Sequence, residues 1–270
     1  EDETPGYKLH WKVNRVLYQK QTPYQYLEVM DLEDFGRALV LDGAVQITEK
    51  DEFIYNEMIS HIPMLTHPNP KKVLIIGGGD GGAAREVLKY EEVEEVQLVE
   101  IDEEVVKAVR EFFPQLADVF DDPRFRLIVD DGIEFVKSKE EEYDVIIVDS
   151  SDPVGPAVNL FDHPFYNDCF KALKQDGILN VQSESPFFNQ DIIKKVTGIL
   201  SGLFKHVDTY LACIPTYPSG LWSFTMASKA YRYSDVRLER ATGINTRYFT
   251  PDIFHACFKL PRFVHDLIGK

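Results

Sequence analysis

Val73-Leu74-Ile75-Ile76-Gly77-Gly78-Gly79-Asp80-Gly81-Gly82 decides the fold of this chain. Four apolar, mostly β-branched residues run into a glycine cluster, and a helical pattern begins at Ala83, which predicts a buried strand, a tight turn and a helix. Gly77, Gly79 and Gly82 fit the spacing G-x-G-x-x-G, where glycine permits a sharp turn and lets the backbone approach a ligand. That match is weak alone, but an acid about twenty residues on, Glu100, closes the next apolar strand, where a ribose diol would be read. Asp80 lies inside the turn, and its carboxylate would oppose the pyrophosphate of a dinucleotide. A cationic ligand suits the loop better.

Outward from this stretch, strands and helices alternate. Strands are predicted over 72–76, 96–101, 125–129, 145–148 and 178–182, and helices over 83–90, 103–113, 133–137, 164–173 and 190–204. Val105, Val109 and Phe112 share one helix face, and Pro114 ends that helix. Segments 207–214 and 221–227 read as a hairpin-like edge. The pattern predicts an α/β fold with a doubly wound, Rossmann-like, mostly parallel sheet.

Before Thr48 the signal is β, over 14–18, 24–31 and 37–48, with Asp34-Phe35-Gly36 and Asp42-Gly43 as turns. This gives a small N-terminal antiparallel β domain over 1–50, too small to bury much alone, and a catalytic domain over 51–270. Thr48 and Asp51 are spaced as a capping box with Asp in place of Glu, and a helix is predicted over 51–65 with Tyr55 and Asn56 in its first turns. The last residues, 231–270, read as short helices and irregular structure.

Composition narrows the class. The chain has 270 residues, 44% hydrophobic and 27% charged, which excludes disordered and fibrous classes. With 45 acids against 29 Lys and Arg, the net charge of −16 repels polyanions, so no nucleic-acid partner is expected. No apolar run approaches the roughly 18 residues of a membrane span, and the start Glu1-Asp2-Glu3 is unlike a signal peptide, so a cytoplasmic protein with no membrane partner is expected. Cys169, Cys213 and Cys257 are odd in number and form no C-x-x-C pair, which argues against a disulfide framework or a zinc site.

Ligands of such a sheet bind outside the carboxyl ends of its strands, and there the chain is acidic. Asp80 follows the first strand, Glu100 and Asp102 the second, Asp130 and Asp131 with Gly132 the third, Asp149 and Asp152 the fourth. Asp102 suits a helix cap and Asp130 a turn. Asp131 suits an adenine amino group. Asp149-Ser150-Ser151-Asp152-Pro153-Val154-Gly155-Pro156 pairs two carboxylates with two prolines, a rigid acidic lip. Recognition of an amine and Mg²⁺ held by Asp149 and Asp152 are both open on this pattern. A nucleophilic triad finds no support, since no G-x-S-x-G occurs. Tyr217 stands in the proline-flanked turn Ile214 to Gly220, and facing Tyr55 it would form an aromatic wall for an alkyl diamine. Gln182, Ser183, Glu184 and Ser185 follow the fifth strand at the same mouth without an assigned role.

With these residues placed, the chain resembles the polyamine aminopropyltransferases, the family of spermidine synthase. The matching segments are Leu41-Asp42-Gly43-Ala44-Val45-Gln46, Asp51-Glu52-Phe53-Ile54-Tyr55, Gly77 to Gly82, Glu100-Ile101-Asp102, Asp149 to Pro156 and Ile214 to Gly220. The resemblance implies a methyltransferase-type sheet and transfer of an aminopropyl group from decarboxylated S-adenosylmethionine to putrescine, giving spermidine and methylthioadenosine. It implies no metal and no cofactor, the donor being a co-substrate, and a homodimer or homotetramer. It places Gln25, Glu100, Asp131, Gly132 and Pro156 on the nucleoside. Gln46, Asp80, Tyr55, Tyr217 and Asp152 fall on the amine ends of donor and acceptor, with Ser150 and Ser151 beside them and Asp149 as general base. Where relatives carry His or Gln after the tyrosine, this chain has Asn56, which bears on acceptor length.

Three other readings compete. An S-adenosylmethionine-dependent amine N-methyltransferase would use the same fold and tolerate a donor carboxylate. A nicotinamide dehydrogenase is disfavoured by Asp80. A polyamine- or nucleoside-binding subunit without turnover would keep the pocket and lose the base, yet Asp149 and Tyr55 are both present.

Overall fold

The computed structural model describes residues 2–151, 155–236 and 238–269. A short hairpin, β1 (Asp2–Thr4) and β2 (Tyr7–Lys8), precedes a four-stranded antiparallel meander of β3 (Val13–Gln21), β4 (Tyr26–Leu32), β5 (Gly36–Leu41) and β6 (Ala44–Thr48). Asp42 and Gly43 both take positive φ between β5 and β6, the conformation of a tight hairpin turn. Alternation gives the meander two apolar faces. Leu27, Val29, Leu39 and Ile47 pack on one side, and Leu32, Ala38, Val40 and Val45 on the other.

The rest of the chain builds α1 (Glu52–Thr66), β7 (Lys72–Gly77), α2 (Gly82–Val87), β8 (Glu95–Glu100), α3 (Glu103–Phe112), α4 (Pro114–Ala117), β9 (Phe125–Val129) and α5 (Gly132–Lys137). It continues with β10 (Tyr143–Asp149), α6 (His163–Ala172), β11 (Leu173–Gln182), α7 (Gln190–Leu203), β12 (His206–Cys213), β13 (Leu221–Ser228), α8 (Pro251–Ala256) and α9 (Arg262–Leu267). The seven-stranded sheet runs β12-β13-β11-β10-β7-β8-β9, parallel from β11 to β9, with β13 antiparallel to both its neighbours. This is the mostly parallel α/β sheet expected. Its order reverses between β7 and β10, and Asp149 ends β10 directly beside Gly77 at the end of β7. That crevice is where ligands of doubly wound sheets bind.

Apolar strands bury both faces of the sheet, α1 and α2 covering one and α6 and α7 the other. The N-terminal meander sits on α3 and α4 through Val105, Ala108, Val109 and Leu116, so its small apolar face is buried against the larger domain. Among the described residues no helix is long and apolar enough to cross a membrane.

Local expectations are corrected at three points. The helix after the glycine turn ends at Val87 rather than at 90, and Tyr90 turns inward to meet His61. The glycines with positive φ are Gly77, Gly78 and Gly81, so Gly79 and Gly82 serve close approach instead: a Cβ on Gly79 would stand 2.8 Å from Glu100 Oε2. Asp51 makes no cap bond. Its Oδ1 accepts from Thr48 Oγ1 at 2.6 Å, and its Oδ2 accepts from the backbone N–H of Thr216 at 2.9 Å and from the Thr216 hydroxyl. Buried long-range donors have taken the acceptor that a local cap would use.

Glu57, in the second turn of α1, is buried and ties down the C-terminal segment. Its oxygens accept from the backbone N–H groups of Arg247, Tyr248 and Phe249 at 2.7, 2.8 and 2.7 Å. Glu57→Ala leaves three donors without an acceptor and is expected to cost about 3 kcal/mol, read by urea unfolding. A loss no larger than that of an exposed Glu→Ala control would show the segment holds itself.

Candidate active site

A cavity of about 470 Å³ opens at the switch point between β7 and β10. One end is lined by Gln25, Glu100, Asp131 and Gly132, the other by Gln46, Tyr55, Asp80, Asp149, Ser150, Ser151 and Tyr217. Eleven residues singled out in the sequence thus meet in one space. Asp152 lies outside the described residues, as does the side chain of Pro156.

At the first end, Glu100 is held by backbone. Its side chain accepts from the N–H groups of Asp102, Gly79 and Ile101, the first at 2.9 Å, yet burial pushes its carboxyl up to about 7. Asp102 caps α3 through Glu104 N at 3.1 Å, and its other oxygen receives Thr22 Oγ1 at 2.7 Å and Gln25 Nε2 at 2.9 Å. Gln25 is therefore fixed at the cavity wall by an acid from the neighbouring domain. Asp131 caps α5, accepting from Ile133 N at 2.8 Å.

The second end brings two half-buried carboxylates into one cavity. Asp80 accepts from Gly82 N at 2.6 Å, but burial and then the charge of Asp149 raise its carboxyl well above the usual carboxylate range. Burial likewise raises Asp149, against a 2.6 Å hydrogen bond donated by the Tyr55 hydroxyl to Asp149 Oδ1. Oδ2 of Asp149 is buried and has no hydrogen-bond partner among the described residues. Burial and Asp149 also hold the Tyr55 phenol far above its ordinary value, so it stays a donor.

Tyr55 and Tyr217 do face one another, edge to face at 5.7 Å between centroids. The Tyr217 hydroxyl donates to the backbone C=O of Gln46 at 2.9 Å, while the Gln46 amide donates to Ala44 C=O at 3.2 Å. The Gln46 side chain is thus tied back to β6, the strand that carries it.

Asn56 is placed elsewhere than expected. It is fully buried away from the cavity lining, its amide donates to Glu52 Oε2 at 2.9 Å, and it packs on Gly82, where a Cβ would stand 2.1 Å from Asn56 Nδ2. One helical step beyond Tyr55 turns a side chain about 100° around the axis, which carries Asn56 to α2.

A second, smaller cavity shares Gln46, Tyr55, Ser150, Ser151 and Tyr217 with the first and continues to Glu3, Gln182, Glu184 and Trp222. Gln182 Nε2 donates to Glu184 Oε1 at 2.9 Å, and Gln182 Oε1 accepts from Glu184 N at 3.0 Å. Glu184 takes φ of +70°, a left-handed conformation costly for a side chain of its size. The sequence reading gives Gln182, Glu184 and Glu3 no role. Glu184 satisfies the strand-end rule that found the other acids, so that signal was present; for Glu3 there was none, because only docking of the hairpin brings it here.

Comparison with known proteins follows the same lines. The family model described as spermine/spermidine synthase domain matches residues 52–237, and that described as spermidine synthase tetramerisation domain matches 1–49. A polyamine aminopropyltransferase of Caldicellulosiruptor bescii is 50% identical over 268 residues, 99% of this chain and 96% of the relative. One of Bacillus subtilis is 48% identical over 268 residues, 99% and 97% of the two chains. The crystal structure of a spermidine synthase in complex with the transition-state analogue AdoDATO has a TM-score of 0.94 at 42% identity, covering 96% of this chain and 90% of that one. That of a spermidine synthase from Thermotoga maritima gives 0.92 at 42% identity, covering 96% and 89%.

Because the Tyr55 hydrogen bond opposes the effect of burial on Asp149, Tyr55→Phe is expected to move the titration of the carboxyl pair to higher pH. Isotope-edited NMR of the aspartate carboxyls reads this directly. An unmoved or lowered titration would mean the hydroxyl does not stabilise the carboxylate.

Proposed function

The chain belongs to the spermine/spermidine synthase family and is an aminopropyltransferase, and from that premise we propose that it carries the aminopropyl group of decarboxylated S-adenosylmethionine to putrescine, giving spermidine and methylthioadenosine. The observation that carries the reading is the placement of Asp80, Asp149 and Tyr55 at one end of a cavity whose other end has Glu100, Asp131 and Gln25. Two half-buried carboxylates in one cavity repel one another, and ammonium groups are the ligands that relieve both.

In this reading the nucleoside lies at the Glu100 end, with the ribose hydroxyls on Glu100 and the base edge on Asp131. Asp80 takes the ammonium of the aminopropyl arm. A carboxylate on the donor would meet Asp80, so ordinary S-adenosylmethionine is rejected by like charge. The acceptor runs between the rings of Tyr55 and Tyr217, its reacting nitrogen at Asp149 and its far ammonium toward Glu184 and Glu3 in the second cavity.

The reaction needs an unprotonated amine. Asp149 takes one proton from the ammonium, and the Tyr55 hydroxyl, bonded to Oδ1, holds the carboxylate in place. The nitrogen lone pair then attacks the methylene beside the sulfonium. As the C–N bond forms, the C–S bond breaks and its electrons stay on sulfur, leaving a neutral thioether. We assign no cofactor, because the sulfonium is itself the electrophile and the thioether the leaving group. Alignment of nitrogen, carbon and sulfur within the cavity supplies much of the acceleration.

Two further features fit the reading. The outer edge of the meander, β3, exposes Val13 and Val16, and we place subunit association there, in a homodimer or homotetramer. The three cysteines are free, in keeping with a cytoplasmic enzyme.

The test incubates the protein with decarboxylated S-adenosylmethionine or S-adenosylmethionine and a panel of diamines, with products identified by mass. Methylthioadenosine and an aminopropylated putrescine from the decarboxylated donor alone are expected. A methylated amine with S-adenosylhomocysteine would move the chain to methyl transfer. Asp149→Asn is expected to lower kcat by about a thousandfold, the usual scale for loss of a general base.

A further inference from the structure

Behind the amine end of the cavity lies a partly buried charge cluster that the mechanism above does not use. Arg85 on α2 forks onto Glu52 at the start of α1, Nη1 to Oε1 and Nη2 to Oε2, both at 2.9 Å. Its Nε donates to Glu86 Oε1 at 2.9 Å, and Glu86 Oε2 meets His61 Nε2 of α1 at 3.0 Å. Glu52 also holds Asn56, which rests on Gly82, whose N–H in turn holds Asp80. The chain of contacts thus runs from the helix that bears Tyr55 to the turn that bears Asp80.

We infer that Arg85 and Glu52 are positioning residues for aminopropyl transfer: their partly buried fork locks the Tyr55 helix against the Asp80 turn and so sets the spacing of the amine-binding groups. Neither residue lines the cavity. Both are held where a small displacement of α1 against α2 would change the Tyr55 to Asp80 geometry directly. A bidentate fork restrains angle as well as distance, which a lysine ammonium cannot do.

The pair also acts through its charges. The groups facing Asp80 are Asp149 from β10, Tyr55 and Glu52 from α1, and the Gly82 N–H and Arg85 from α2. After burial and Asp149, Glu52 pushes the Asp80 carboxyl up and Arg85 pulls it down. Asp80 must be a carboxylate to hold an ammonium. Removing either partner therefore moves the acid limb of kcat/KM, and the two removals move it in opposite directions.

This inference rests on Asp80 being the donor's amine site. The test measures pH profiles for wild type, Arg85→Gln, Arg85→Lys and Glu52→Gln, with methylthioadenosine binding by calorimetry as a check on the distant nucleoside end. Arg85→Gln is expected to shift the acid limb to higher pH and raise KM for the decarboxylated donor about tenfold, with methylthioadenosine affinity within about twofold. Arg85→Lys, keeping the charge but not the fork, is expected to hold the limb near wild type while KM still rises. Glu52→Gln is expected to shift the limb to lower pH, and it tests the charge argument even where Arg85→Gln folds poorly. Limbs that do not move, or variants that lose methylthioadenosine binding as much as turnover, would overturn the inference. A wild-type enzyme inactive with the decarboxylated donor would instead overturn the functional reading beneath it.

Discussion

Two half-buried carboxylates, Asp80 and Asp149, share one cavity at the switch point of the sheet, and most of the surrounding structure answers that constraint. Removing an ionised carboxylate from water costs several kcal/mol even after relaxation. The fold offsets part of this with fixed donors: the Gly82 N–H on Asp80 and the Tyr55 hydroxyl on Asp149. It leaves the repulsion between the two carboxylates uncompensated, so the cavity is completed best by a cation that brings donors of its own. Under the proposed function, affinity for amines and rejection of a donor carboxylate share this electrostatic origin.

Helix α1 is the beam on which this arrangement is built. Asp51, at its entrance, fastens the turn that carries Tyr217 through Thr216. Tyr55 reaches Asp149, Glu57 gathers the C-terminal segment, and Glu52 and His61 grip α2. Each bond is made by a polar residue on a helix that is buried almost throughout, where an unpaired group would be costly. A second tether, Asp102 to Thr22 and Gln25, fixes the N-terminal meander at the Glu100 end of the cavity. Both ends of the ligand cavity are thus closed by groups distant in sequence.

The sheet was legible because its signals are local. Apolar runs alternating with 3.6-residue periodicity mark a doubly wound fold, and acids placed just after successive strands converge wherever such a sheet is built. Asp80, Glu100, Asp131 and Asp149 follow from that rule alone, and Glu184 obeys it too. Asn56 shows where local reasoning stops: adjacency to Tyr55 in sequence suggested adjacency in the site, while the helical rotation between them turned it toward Gly82.

By itself, then, the sequence determined the strand and helix order, the glycine turn, and the acidic character of the successive strand ends at the cavity. Only the tertiary structure decided which partners those acids take. Asp51 gave up a helix cap for Thr216, Asp102 kept its cap and also took Gln25, and Glu3 joined Glu184 through the docking of a short hairpin. The physical reason is burial. In water a carboxylate is satisfied by its neighbours in the chain or by solvent, but in the interior it must be matched by whatever donor packing brings within about 3 Å, and no local pattern encodes that choice.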